Sequence, residues 1–162
     1  MPSWQVVGTK EQLAKPGDFI TKELVGTPIV VRNFDGKLRA FLKSCPHRHS
    51  MLTCKRSGNT PVLKCQYHGW EFGADGNTKR IPEAGCFWPW DRENARLHAL
   101  RLETFGNVVF VTLSDDTPPL RQWMNPLFDV VADQFGGKFF QMRYNWEPDV
   151  PCNWKVPCEN TL

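Results

Sequence analysis

The sequence predicts an all-β domain. In the first 113 residues, three pairs of strand-forming stretches each surround a turn signal: Asp35-Gly36, Asp75-Gly76 and Gly106-Asn107. Dipeptides of this kind between apolar stretches are typical of β-hairpins. Short strands separated by regular turns indicate a small sandwich or barrel. The chain of 162 residues is long enough to bury a hydrophobic core without disulfide or metal staples.

The three predicted hairpins follow one another along the chain. The first is TPIVVRNFDGKLRAFLK (27–43). The second pairs PVLKC (61–65) with WEFGADGNTKRIP (70–82). The third is LHALRLETFGNVVFVTL (97–113), and its end is apolar enough for a buried strand. Within it, His98 is predicted to face solvent.

Helical signals are few. A short helix is predicted around Lys10–Ala14, because Pro16-Gly17 would end it. The stretch LRQWMNPLFDVVADQF (120–135) is amphipathic, with Pro126 either in its first turn or breaking it. Its predicted packing face contains Leu127, Phe128 and Val131.

A change of composition at SDDTPP (114–119) marks the end of the β domain. The predicted boundary falls between residues 1–115 and residues 116–162. In the second part, FFQMRYNW (139–146) is predicted to form a strand.

Composition excludes several classes of function. The formal net charge of +3 is too small to indicate nucleic-acid binding by itself. No apolar run reaches membrane-spanning length, and the N-terminal residues lack the pattern of an export signal. We therefore expect a cytoplasmic protein without a membrane partner. The six cysteines are then expected to be metal ligands or thiols rather than disulfides.

Two short segments, CPHRH (45–49) and CQYHGW (65–70), each combine one cysteine with one ligand-spaced histidine. Structural zinc sites commonly take cysteines and histidines in like pairs, although two thiolates and two imidazoles do suit zinc. The same four ligands suit a [2Fe–2S] cluster with two cysteines on one iron and two histidines on the other. Ligand chemistry alone leaves both metals open.

The residues around these segments resemble the Rieske motif Cys-x-His…Cys-x-x-His. More narrowly, they resemble the α-subunits of ring-hydroxylating Rieske non-haem iron oxygenases, whose second segment typically reads C-x-Y-H-G-W. FDGKLRAFLKSCPHR (34–48) is similar to the family's approach to the first loop, and NWKVPCEN (153–160) to its entry into the catalytic domain. The resemblance implies an antiparallel β-sandwich with a small cluster-binding subdomain in residues 1–115. Residues 116–162 would be a linker and the start of an α+β catalytic domain.

The resemblance also implies the cluster ligands: Cys45 and Cys65 on one iron, and His47 and His68 on the other. Neutral imidazoles in place of two thiolates raise the reduction potential above that of all-cysteine ferredoxins. High-potential members have an extra disulfide between the loops, but here those positions are Ser50 and Tyr67. The resemblance therefore implies the low end of the Rieske range, on the order of −150 mV.

Three neighbouring residues are expected to support the loops: Arg48, Gly69 and Trp70. Gly69 would let the backbone approach the cluster closely, and Trp70 would act as a packing lid. The chain departs from the family at His49, where glycine is usual. We expect His49 to be an exposed loop residue.

The family resemblance implies an oxidoreductase. A reductase or ferredoxin would supply electrons, and a mononuclear Fe(II) in a neighbouring subunit of a homotrimer would use them with O₂ to hydroxylate or demethylate a small organic substrate. Asn160 matches the family's asparagine beside that iron. The two-histidine, one-carboxylate triad would come after Leu162, since the last histidine is His98. This chain alone is therefore expected to lack the complete catalytic site.

Two alternatives remain. A free-standing Rieske ferredoxin would carry electrons only, although it has no use for residues 114–162. A zinc-binding module would contain no sulfide.

The thiols without a partner at metal spacing are expected to be buried or free: Cys54, Cys86, Cys152 and Cys158. A group of cations near the loops is either a solvated surface or a rim that steers an acidic ferredoxin: Arg48, Lys55, Arg56, Lys64, Lys79 and Arg80.

Overall fold

The computed structural model describes residues 2–87, 95–135, 151–153 and 155–156. Within these ranges the strands are β1 (Gln5–Thr9), β2 (Asp18–Leu24), β3 (Thr27–Phe34), β4 (Lys37–Leu42), β5 (Ser57–Asn59), β6 (Leu63–Lys64), β7 (Glu71–Phe72), β8 (Thr78–Arg80), β9 (Ala99–Phe105) and β10 (Val108–Thr112). The helices are α1 (Leu120–Met124) and α2 (Leu127–Phe135), and 3₁₀ turns occur at Glu11–Leu13 and Ala84–Phe87.

Seven strands form one antiparallel sheet in the order β1-β10-β9-β4-β3-β2-β5. The sheet is curled, so that β1 approaches β2. A second antiparallel sheet contains only β6, β7 and β8. The predicted all-β class is confirmed, and the small sheet contains the strands that flank the second ligand segment.

The first predicted hairpin forms between β3 and β4. Its two turn residues, Asp35 and Gly36, both have positive φ angles, of 51° and 89°, as a type I′ turn requires. The buried side chain of Asn33 stabilises this turn by accepting a hydrogen bond from the Gly36 N–H at 2.6 Å. The same amide donates to the carbonyl of Leu13 at 2.7 Å. The hairpin is thereby fixed to the 3₁₀ turn at Glu11–Leu13.

The other two predicted hairpins also form, at Asp75-Gly76 between β7 and β8 and between β9 and β10. The sequence did not assign β1, β2 or β5 as strands. β1 pairs with β10 and β5 pairs with β2, so the partners of β1 and β5 are distant in sequence. β2 pairs with its neighbour β3 across Val25-Gly26, where both residues have positive φ angles although valine rarely occupies such a turn position. His98 is exposed, as predicted.

The helical predictions are partly corrected. The helix around residues 10–14 is a single 3₁₀ turn, and the stretch 120–135 is broken into α1 and α2 at Asn125-Pro126. Phe128 and Val131 pack against the cluster that contains Phe105, as predicted, but Leu127 is 63% exposed. All three residues lie in α2, but Leu127 is its first residue, directly after the break, so its side chain lies at the exposed helix end. The strand predicted at 139–146 lies outside the described residues.

The core extends beneath both ligand segments. One cluster of buried side chains joins Phe41, on the large sheet, to Leu63 and Phe72, on the small sheet, and it includes Cys45 and Cys65. A second cluster fills the inside of the curled sheet around Ile29, Val31 and Val109, and a third joins Trp4, Phe105 and Phe110 to α1. No helix in the described ranges is long and apolar enough to cross a membrane.

A buried arginine connects the large sheet to the segment that precedes the second ligand loop. Arg32 on β3 is 5% exposed, and its Nη2 donates to the carbonyls of Thr60 at 2.7 Å and Pro61 at 3.0 Å. Its guanidinium lies over the Phe34 ring at 4.3 Å from the centroid. Burial lowers the pKa of Arg32, and the nearby Asp35 carboxylate partly opposes that shift.

We expect Arg32→Ala to lower the free energy of unfolding by about 1–3 kcal/mol, because two carbonyls lose their donor in a partly buried place. Urea denaturation of the chain measures this. Arg39→Ala is the matched control, because Arg39 is an exposed arginine directly opposite on β4, and it should change the free energy by no more than about 0.5 kcal/mol. Equal effects of the two substitutions would contradict the role given to Arg32.

Candidate metal centre

The two ligand segments form loops with the same backbone hydrogen bonds. In the first loop, Cys45 donates its N–H to the carbonyl of Ser50 at 2.9 Å, and His49 donates to the carbonyl of Cys45 at 2.9 Å. In the second, Cys65 donates to Trp70 at 2.8 Å and Gly69 donates to Cys65 at 3.0 Å. Each cysteine therefore opens a six-residue loop that its own N–H and carbonyl close.

Short antiparallel pairings hold the two ends of each loop. Ser44 pairs with Met51 across the first loop, and Lys64 pairs with Glu71 across the second. The first loop continues from β4 of the large sheet, and the second connects β6 to β7 of the small sheet. The loops thus belong to different sheets and meet above the core cluster that the two sheets share.

The fifth position of each loop has a left-handed backbone. The φ angle is 54° at His49 and 72° at Gly69. Glycine adopts this region without penalty, and histidine is among the side chains that enter it more often than most. The geometry therefore explains how His49 stands at the position of the glycine usual in the family. His49 is exposed, as expected, with its Nδ1 3.5 Å from the Ser44 hydroxyl.

The four predicted ligands converge. The thiols of Cys45 and Cys65 are 1% and 2% exposed, and they are close enough to interact with each other. His47 and His68 are half-buried, and their ring centroids lie 4.6 Å apart in an edge-to-face arrangement. Two soft thiols therefore lie in the core, and two imidazoles lie nearer the surface.

Burial controls the protonation of these groups. Desolvation raises the pKa of the Cys45 thiol to about 11, with the neighbouring Cys65 adding to the shift. The backbone N–H groups of His47 and Arg48 point at the Cys45 sulfur and partly offset it. Desolvation, with His68 and Arg48 adding to it, lowers the pKa of His47 and favours the neutral imidazole. A bound cation is what would make the thiolate the stable form of Cys45.

Aromatic rings contact both imidazoles. The indole of Trp70, which is 5% exposed, stacks on His47 with an interplanar angle of 1° and a centroid distance of 4.9 Å. The Tyr67 ring, which is 60% exposed, lies 3.8 Å from the His68 ring at a tilt of 38°. Trp70 ends the second loop, so its stacking fixes a side chain of the first loop. This contact could not be predicted from the sequence, which indicated only a packing lid.

The donor set fits a [2Fe–2S] cluster. Such a cluster needs only two protein ligands on each iron, and a Rieske centre takes two thiolates on one iron and two neutral imidazoles on the other. The fold supplies both pairs: two buried thiols, and two imidazoles beside them. In the ranges that the structure describes, no three or more His, Cys, Asp or Glu side chains are grouped to hold a single metal ion.

The remaining predicted site residues are placed as follows. The side chain of Arg48 is exposed. Arg48 contacts the site through its backbone N–H, which faces the Cys45 sulfur. Cys54, Cys86 and Cys152 are exposed free thiols. Cys158 and Asn160 lie outside the described residues.

Comparison with known proteins places the chain among Rieske proteins. A family model for the Rieske [2Fe-2S] domain matches residues 3–106. The chain is 30% identical to the carnitine monooxygenase oxygenase subunit of Acinetobacter pittii (strain PHEA-2), with 99% of the chain and 44% of that relative aligned. It is also 30% identical to the chlorobenzene dioxygenase subunit alpha of Cupriavidus sp. (strain PS12), with 97% of the chain and 36% of that relative aligned.

Solved structures agree with these relatives. The quaternary ammonium Rieske monooxygenase CntA in complex with L-carnitine superimposes with a TM-score of 0.73 at 31% identity, over 82% of this chain and 38% of that one. A naphthalene 1,2-dioxygenase superimposes with a TM-score of 0.75 at 25% identity, over 82% of this chain and 31% of that one. The chain thus spans less than half the length of the relatives named here.

The left-handed backbone at the fifth position of each loop predicts different effects for substitutions at Gly69 and His49. We expect Gly69→Ala to lower the free energy of unfolding by about 1–2 kcal/mol, because a side chain at this φ is strained and its Cβ would lie 3.3 Å from Lys64 Cε and Pro82 Cγ. His49→Gly should change it by no more than about 1 kcal/mol, since relief of strain opposes the greater freedom of glycine when unfolded. Urea denaturation measures both. A loss at His49→Gly as large as that at Gly69→Ala would contradict the equivalence of the two positions.

The contact between Trp70 and His47 can be tested with a double-mutant cycle of Trp70→Leu and His47→Ala. We expect a coupling energy of about 0.5–1.5 kcal/mol, as is usual for stacked rings. Denaturation of the metal-free chain measures it. The control cycle combines Trp70→Leu with His49→Ala, because His49 is exposed on the same loop, and it should give a coupling near zero. Equal coupling in the two cycles would show that Trp70 supports the loop without contacting His47 specifically.

Proposed function

Because the chain belongs to the Rieske [2Fe-2S] domain family, we propose that its two loops hold the cluster through Cys45, His47, Cys65 and His68. The cysteine thiolates would bind one iron, and the histidine imidazoles would bind the other. The observation that supports this assignment most strongly is the convergence of a buried thiol pair and an imidazole pair on two loops with the same backbone.

When bound, the cluster supplies one-electron redox chemistry at a potential raised by its two neutral imidazole ligands. The protein residues prepare the place for it. The core cluster around Leu52, Leu63 and Phe72 excludes water from the thiols. Trp70 keeps the His47 ring in one orientation, and the half-buried imidazoles leave one side of the site near solvent.

We further propose that the chain is the N-terminal part of an oxygenase α-subunit. Residues 1–115 would be its Rieske domain, and residues 116–162 a linker and the start of its catalytic domain. The support is the alignment with oxygenase subunits over 97–99% of this chain but only 36–44% of theirs. A free-standing Rieske ferredoxin accounts less well for similarity that continues past residue 115.

In the whole protein, a reductase or ferredoxin would supply electrons, and a small organic substrate would be hydroxylated or demethylated at a mononuclear Fe(II). Asn160 would lie beside that iron, and the subunits would form a homotrimer. Reading the coding sequence past codon 162 tests this proposal. An open frame with two histidines and an aspartate at facial-triad spacing would support it, and a stop codon directly after Leu162 would contradict it.

We expect His68→Ala to abolish the cluster, because one iron would lose half of its protein ligands. Iron and acid-labile sulfide, measured per mole of purified chain, report the loss. Cys86→Ser is the matched control, since Cys86 is an exposed thiol and its replacement should leave both quantities unchanged. Unchanged iron and sulfide in His68→Ala would refute the ligand assignment.

A further inference from the structure

A cleft opens beside the second ligand loop, with a volume of about 420 Å³. It lies between the chain that follows the first loop (52–55), strand β5, and residues 62–66. Phe19, Leu52 and Leu63 are among its apolar lining residues and are themselves buried. Lys64 and Gln66, on either side of Cys65, also line it. A molecule in this cleft would therefore lie next to a proposed cluster ligand.

The cleft is positively charged. Its lining includes Lys55 and Lys64 and contains no aspartate or glutamate among the described residues. Arg56, directly after Lys55, is also exposed. The nearby carboxylate of Asp18 accepts hydrogen bonds from Asn59 Nδ2 at 2.8 Å and from the Lys15 N–H at 2.7 Å. These hydrogen bonds lower the pKa of Asp18. Its carboxylate therefore stays ionised and bound to Asn59 and Lys15.

Ion pairing divides the cations that the sequence placed near the loops. Lys64 and Arg80 both lie within 4 Å of Glu71, at 3.8 and 3.6 Å, and Lys79 lies 3.8 Å from Asp75. No described ion pair involves Lys55 or Arg56, and each has an exposed side chain. Lys55 therefore lines the cleft without a described carboxylate partner, and Arg56 lies directly beside it in the chain. Lys64, Lys79 and Arg80 lie close to carboxylates.

The backbone at these two cations is fixed. The carbonyl of Arg56 accepts a hydrogen bond from the Thr21 N–H at 2.7 Å, and the carbonyl of Lys55 accepts one from the Thr21 hydroxyl at 3.1 Å. The next residues form β5, which pairs with β2 and is one of the two edge strands of the large sheet among the described residues. Hydrogen bonds to Thr21 of β2 therefore hold the backbone at both cations, and their side chains can be replaced without breaking these bonds.

We propose that this basic cleft is the docking surface for the acidic face of the protein that donates electrons to the chain. The inference rests on the proposed function, since it names the place where the donor of the Rieske domain binds. Complementary charge accelerates association between proteins by about 10–10³-fold at low ionic strength. The cleft combines that charge with the exposed apolar side chain of Val62, which a partner can cover.

Cys54 provides a direct test, because its exposed thiol lines the cleft. The probe is an oxidised, acidic plant-type [2Fe–2S] ferredoxin, so that binding is measured without electron transfer. Iodoacetamide labelling is followed by mass spectrometry at each cysteine, with and without the probe. At low ionic strength we expect the probe to slow the alkylation of Cys54 severalfold. Cys86 and Cys152, which are exposed and do not line the cleft, should be alkylated at unchanged rates.

Charge reversal tests whether the cations are the cause. In the double variant Lys55→Glu/Arg56→Glu, we expect protection of Cys54 to disappear and the association rate to fall about tenfold or more. Lys10→Glu is the control, because Lys10 is exposed and does not line the cleft. Cys54 in this variant should be protected as much as in the parent chain. Raising the salt to about 1 M, where the Debye length is about 3 Å, should remove protection from every variant.

Several outcomes would overturn the proposal. They are an absence of protection in the parent chain, equal effects of the double variant and Lys10→Glu, and equal protection by a basic redox protein such as cytochrome c. Protection that grows with the chain's own concentration would assign the cleft to a second copy. Iron and sulfide are measured on the same samples. Failed docking with the cluster present overturns this inference alone, whereas an absent cluster overturns the proposed function.

Discussion

Burial of two thiols where the two sheets meet is the constraint on which the rest of the site depends. Cys45 continues from the large sheet and Cys65 from the small one, and both lie in the core cluster that joins the sheets. A buried thiol resists ionisation, as the raised pKa of Cys45 reflects, and a metal is the natural compensation for two thiolates in such a place. Metal binding and the relative placement of the two sheets are therefore linked.

The imidazoles add a second, outer layer to this arrangement. His47 and His68 contact each other, and each is covered on a further side by an aromatic ring. Trp70 connects the loops, because it ends one loop and stacks on the proposed ligand His47 of the other. The division into buried thiols and half-buried imidazoles gives the proposed cluster one side against the core and one side toward solvent. The basic cleft lies between β5 of the large sheet and the residues around Cys65.

Local signals in the sequence predicted much of the fold. Asp35-Gly36, Asp75-Gly76 and Gly106-Asn107 identified three hairpins because each turn type demands particular residues. The pairing of β1 with β10 and of β5 with β2 could not be predicted, since it depends on packing between distant segments. The assignment of the four proposed ligands came from their spacing and from the family resemblance. The common backbone conformation of the two loops could not be predicted from the sequence. His49 and Gly69 both have positive φ angles, but they are different residue types.

The central claim is a mixed cysteine–histidine cluster in these two loops, and the most direct test is an EPR spectrum of the anaerobically purified, dithionite-reduced chain. We expect a rhombic signal whose mean g lies below that of all-cysteine [2Fe–2S] clusters, because two imidazoles replace two thiolates on one iron. An EPR-silent sample that contains zinc and no acid-labile sulfide would contradict the claim, and it would make the four residues ligands of a structural metal.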